Sequence, residues 1–167
     1  MIQFLYLLFA LTATAAAPAS IDGEWRLVSF TCEGGKKDAV VTINARRVAR
    51  KEVEERITIR GADVTMETVD WANRKARVGC ERKSKQRWEI KADTYKVLSL
   101  ENTGTKAYGD GECPKPADPK LTNLEKTYRK KGKFLELAVN SPSKDGPKNA
   151  ACAGGLWVRT YEPFKGP

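Results

Sequence analysis

Short stretches in which polar and apolar residues alternate, rich in Val, Ile, Thr and aromatics and cut by Gly, Pro, Asn and Asp, run through most of the chain beyond residue 19. A period of two is that of a β-strand, whose successive side chains point to opposite faces. Strands are expected at about 25–32, 56–60, 64–69, 76–81, 87–92, 95–101, 124–129, 134–140 and 156–161. Tight turns such as Gly61-Ala62-Asp63 join them, as in an antiparallel meander. The chain reads as all-β.

One stretch departs from this pattern. Between residues 38 and 55, Ala45, Val48, Ala49 and Val53 fall near one helical face, and Glu52 and Arg56 sit four apart. A short surface helix after the first strand is expected there, although Val40 to Ile43 would also suit a strand. Residues 109–120 carry Pro114, Pro116 and Pro119 around Cys113, a long irregular loop that a disulfide would pin. No internal repeat or second apolar core interrupts residues 20–167, which read as one domain.

The chain has 167 residues, a formal charge of +9 and no histidine. A Ser/His/Asp triad, a Cys/His dyad, a His-ligated metal and an imidazole base are therefore excluded, and no catalytic residue, metal site or cofactor is expected. Carboxylates close in sequence, such as Glu54 with Glu55, read as solvated. Residues 1–19 are uncharged, run from Phe4 to Leu11 through apolar residues and end in small ones, the layout of a cleaved secretory signal. The apolar run is too short to span a bilayer, so a secreted or periplasmic chain with no transmembrane segment after cleavage is expected. Cys32, Cys80, Cys113 and Cys152, widely spaced in an exported chain, point to two disulfides, with three connectivities open.

The first strand opens Gly23-Glu24-Trp25 and the last holds Arg159 after Trp157. A Gly-x-Trp at the mouth of the first strand with an arginine near the end of the last resembles the lipocalin and lipocalin-like (calycin-type) group. That resemblance implies a single antiparallel up-and-down barrel of about eight strands, with Trp25 plugging the closed end, Gly23 permitting a tight turn and Arg159 packed over the indole of Trp25. In such a barrel the end of the first strand lies beside the start of the last. Cys32 would then pair with Cys152, leaving Cys80 to tie Cys113. Closure needs an even strand number, so one of the nine segments is surplus, with 124–129 or 56–60 the expected error.

A barrel of this size either holds one small ligand or is filled by side chains, and sequence does not separate the two. With Trp25 inward, Ser29 and Thr31 share its face, and Met66, Trp88, Tyr95 and Phe134 are wall candidates for a small apolar or amphiphilic ligand. Arg74, Arg77, Arg82, Lys83, Lys85 and Arg87 form a basic run, and Lys126, Arg129, Lys130, Lys131 and Lys133 a second. These are candidates for holding an anionic surface, an anionic polymer or an acidic partner, or they serve only to keep strand edges soluble. Nucleic acid is not expected, since export removes the chain from most of it and Trp88 alone makes no stacking platform.

Overall fold

The computed structural model describes residues 20–35, 39–110, 112–115, 126–140, 152 and 155–166; the expected signal segment 1–19 lies outside these. Eight strands and one helix follow in the order β1 (Gly23–Glu33), α1 (Ala39–Ala49), β2 (Val53–Arg60), β3 (Asp63–Asn73), β4 (Val78–Lys91), β5 (Thr94–Tyr108), β6 (Lys126–Lys131), β7 (Phe134–Asn140) and β8 (Leu156–Pro163). Each strand pairs antiparallel with the next, and β8 returns to β1, so the sheet closes into a barrel. Among the described residues no helix is long and apolar enough to cross a membrane.

The expected strands at 76–81 and 87–92 are one, β4, and this merger removes the surplus. The polar run Glu81-Arg82-Lys83-Ser84-Lys85-Gln86-Arg87 conceals that continuity, because here the β4–β5 ladder rises past the packed core and both its faces meet solvent. The segments at 56–60 and 124–129 belong to real strands, β2 and β6, although residues 124 and 125 lie outside the described ones.

The two ends of the barrel differ. The hairpins β2–β3, β4–β5 and β6–β7 turn at one end, where Trp25, Leu27, Ile57, Ile59, Val64, Leu135 and Tyr161 pack with 5% exposure or less. Each such side chain contributes about 1.5–3 kcal/mol through its removal from water. Trp25 plugs this end, its Nε1 donating to the Ile21 carbonyl at 3.0 Å. At the other end lie α1 and both disulfides, Cys32–Cys152 and Cys80–Cys113, with Cα separations of 5.3 and 5.5 Å. Beside the first of these, Gly35 and Gly155 bring two backbones together: a Cβ on Gly155 would stand 2.3 Å from the Glu33 carbonyl oxygen.

Helix α1 has a defined task. β1 pairs with β2 only through residues 23–26, and beyond Arg26 the two strands separate. Val48 of α1 enters the core there, with Ala45 and Val53 against it. Arg47 binds Asp70 on β3 at 2.5 Å and so ties the helix across the barrel rim. A second ladder is short as well. β5 pairs with β6 only through Thr94–Thr127 and Tyr95–Lys126, and beyond Tyr95 this side of β5 has no ladder partner among the described residues.

A β-bulge at Val28 corrects the expected facing of β1. Leu27 pairs with Tyr161 and Ser29 with Thr160, so Val28 is an extra residue that reverses the alternation beyond it. Phe30 and Cys32 therefore continue the inner face of Trp25 and Leu27, while Thr31 is exposed and Ser29 falls on the outer face.

Candidate functional site

Counting inward from the bulge places a charged group inside the wall. On β2, Val53, Glu55, Ile57 and Ile59 share the inner face; on β8, Trp157, Arg159 and Tyr161 do. Glu55 is 6% exposed. Arg159 Nη1 donates to both of its carboxylate oxygens at 3.2 Å, and the Tyr161 hydroxyl donates to Oε1 at 2.5 Å. A buried carboxylate is tolerable only when paired and hydrogen-bonded, and these three bonds meet that condition. The guanidinium also lies 5.4 Å from the Phe30 ring centroid and 5.2 Å from that of Trp157, whose rings stack at 5.6 Å.

This arrangement corrects the expected contact between Arg159 and Trp25. Trp25 stands opposite Pro163, four residues further along β8, so the arginine caps Phe30 and Trp157 in the middle of the barrel. Gly23 does open β1, with a φ of 140°.

Lys126, expected on a basic surface, is partly buried at the inner edge of β6, opposite Tyr95 and with its Nζ 5.7 Å from that ring. Burial, and then the like charge of Arg159, lower its ammonium below the ordinary lysine range. For Arg159 itself burial works against the charge, but Glu55 and the hydroxyls of Tyr161 and Tyr95 outweigh it and hold the guanidinium firmly protonated. Burial raises the Tyr95 hydroxyl far above its usual value, with Arg159 opposing and Glu55 adding to the rise. The Tyr161 hydroxyl is raised by burial and then by Glu55. Both tyrosines are thus neutral donors at physiological pH.

Around this level the inner face is only partly buried. Although the wall encloses the guanidinium, 32% of the Arg159 side-chain surface remains accessible. Met66, Thr68, Ile90 and Leu100, on the inner faces of β3, β4 and β5, are likewise only partly buried. Below them the core is closed. Arg159 and Lys126 stand where the closed core gives way to these partly buried inner-face residues.

One donor here lacks a partner. The indole Nε1 of Trp157 is buried without a hydrogen bond, a condition that costs about 1–3 kcal/mol. Arg159 and Lys126 bring two positive charges to the lumen and Glu55 brings one negative charge. These three groups thus leave one positive charge in excess, near a buried N–H that has no acceptor.

The other expected ligand residues divide. Trp88 and Tyr95 stack in the core at 4.2 Å, and Met66 packs against it. Phe134 is out of phase: Leu135 and Leu137 fill the inner face of β7, so Phe134 lies on the outer face beneath Lys133. Among the described residues no group of three or more carboxylates and cysteines is placed to hold a metal ion.

The expected basic faces are interrupted. Lys83 binds Glu67 at 2.9 Å and Glu81 at 3.2 Å, and Arg74 stands 3.8 Å from Glu54. Arg77, Arg82, Lys85 and Arg87 are exposed. Of the second run, Arg129 is held by Glu33 and Glu136 at 2.5 and 2.6 Å, and Lys131 reaches Glu136 at 3.2 Å. Comparison of the chain with family models, curated proteins and solved structures finds no match.

Proposed function

We propose that the chain is an exported, secreted or periplasmic, non-catalytic binding protein with a lipocalin-like barrel. Its lumen holds a small amphiphile, with an anionic head group between Arg159, Lys126 and the Trp157 indole. The observation that carries this reading is the combination, at one level of an accessible lumen, of surplus positive charge with a buried N–H that lacks an acceptor. A carboxylate or sulfonate supplies both the charge and the acceptor. Its apolar tail would contact Phe30, Met66 and Leu100, all on inner faces. Two disulfides at the rim suit an oxidising compartment. Catalysis is not part of the reading, since Glu55 is fully engaged by Arg159 and Tyr161.

The test is a fluorescence titration with 8-anilinonaphthalene-1-sulfonate, an anionic aromatic amphiphile. The native protein is expected to bind it with a Kd in the micromolar range, and Lys126→Met to weaken that binding about tenfold, the worth of one charge-assisted contact of about 1.4 kcal/mol. Equal affinity in the two proteins would remove the head-group assignment.

A further inference from the structure

A second concave site lies outside the barrel, where the β3–β4 hairpin meets the end of β5 and the segment after α1. It is a half-open groove of about 770 Å³, within the range of small-molecule pockets. Its floor is an aromatic pair, Trp71 and Tyr108, with centroids 5.2 Å apart and planes tilted by 43°. Both rings are on the outer face and only partly buried, so the core does not require them. Gly79 makes room for the indole: a Cβ there would stand 2.7 Å from the Trp71 ring.

The polar groups around these rings are placed in advance. Glu54 accepts from Trp71 Nε1 at 3.1 Å, and the Tyr108 hydroxyl donates to Glu81, which draws that carboxyl below its ordinary pKa. Arg74 stands 3.8 Å from Glu54 and Arg50 3.8 Å from Glu52, both loose pairs, while Lys75 and Arg77 add positive charge to the rim. The groove thus combines exposed ring faces, carboxylate acceptors in its floor and a surplus of cations at its edge.

We propose that this groove binds an acidic oligosaccharide, with a sugar ring laid on Trp71 and Tyr108, its hydroxyls donating to Glu52 and Glu54, and its carboxylate or sulfate held by Arg74, Lys75 and Arg77. The carboxylates decide the class. An inorganic polyphosphate chain brings only acceptors and negative charge, so Glu52, Glu54 and Glu81 repel it. Sugar hydroxyls use the same carboxylates as acceptors. The site is independent of the lumen, since its residues occupy the opposite face of the wall.

The experiment titrates ¹⁵N-labelled native protein with a heparin hexasaccharide, with the desulfated, N-acetylated form of the same hexasaccharide, and with inorganic polyphosphate. Heparin is expected to shift the Trp71 indole N–H resonance, with affinity falling about tenfold in the desulfated form and about tenfold in the variant Arg74→Gln/Arg77→Gln. Trp71→Leu is expected to lose a similar factor and Trp71→Tyr to recover most of it. Polyphosphate binding as tightly as heparin, or heparin binding that leaves the Trp71 resonance in place, overturns the proposal in favour of simple charge attraction; absence of heparin binding overturns it outright. Unchanged anilinonaphthalene sulfonate binding in all these variants separates this outcome from the fate of the lumen site.

Discussion

Arg159 and Glu55, 104 residues apart in sequence, meet inside the barrel through two hydrogen bonds of 3.2 Å, where the carboxylate also accepts from Tyr161. Removing one partner leaves the other charged in a poorly hydrated place, which is worse than removing both. Glu55→Gln is expected to lower unfolding free energy by about 3 kcal/mol, a value at the low end for buried pairs because the arginine keeps some solvent access. Glu55→Gln combined with Arg159→Met is expected to cost less than the sum of the two single changes. Urea denaturation of the four proteins in a double-mutant cycle measures the difference; strict additivity contradicts the pairing.

Lys126 is a charge that the fold tolerates at a cost. In the unfolded chain its ammonium keeps its proton up to the ordinary value of 10.5, whereas in the folded chain burial and Arg159 make it release the proton earlier. Between these values the unfolded state binds more protons, so stability rises with pH across that window. Lys126→Met is expected to raise stability at neutral pH and to abolish the alkaline rise. Denaturant midpoints measured at neutral pH and at pH 10 test both points. A variant less stable than the native protein at neutral pH contradicts the account.

The bulge at Val28 sets which residues of β1 face inward, including Cys32. Deleting Val28 removes the extra residue, so Ser29 follows Leu27 in regular alternation and Phe30 and Cys32 keep the inner face and their partners on β8. Refolding of that deletion under oxidising conditions is expected to form the Cys32–Cys152 disulfide as in the native chain, with no free thiol found by thiol titration. Free thiols at Cys32 and Cys152 in the deletion would contradict the assignment of Val28 as the extra residue.

The two disulfides constrain the unfolded chain unequally. Cys32–Cys152 closes a separation of 120 residues and Cys80–Cys113 one of 33. On the chain-entropy estimate the larger loop is worth about 5 kcal/mol and the smaller about 3.5–4. Replacing the first pair by serine is expected to lower the urea midpoint more than replacing the second, and an inverted order contradicts the closure role of Cys32–Cys152.

The barrel and its sulfur links were legible because both rest on patterns the sequence displays directly. Alternation marks strands, and closure brings the end of β1 to the start of β8, so Cys32 finds Cys152. What escaped was phase. Val28 looks like any other strand residue, yet as a bulge it turns Thr31 outward and Phe30 inward; Phe134 lies on the outer face because Leu135 and Leu137 set the inner phase of β7, and an apolar residue on each phase gives the sequence no way to choose between them. β4 was split because polar residues on both faces resemble a turn. Glu55, Arg159 and Tyr161 were separately visible, since Val53-Glu-Glu55-Arg-Ile57 and Trp157-Val-Arg159-Thr-Tyr161 each put a polar residue on the apolar phase of a strand. Read that way, a carboxylate on the inner phase of one strand calls for a cation on the inner phase of another. Lys126 gave less warning, because three more basic residues follow it within five positions and it reads with them as surface.

The most direct test of the lumen site follows the Trp157 indole N–H, buried and without an acceptor in the free protein. In a two-dimensional ¹⁵N–¹H titration, decanoate is expected to move that resonance downfield at saturation, while decanol, of equal chain length and no charge, binds at least tenfold more weakly and leaves it nearly unmoved. Equal binding of acid and alcohol, or decanoate binding with the Trp157 signal unchanged, would contradict a head-group site built from Arg159, Lys126 and Trp157.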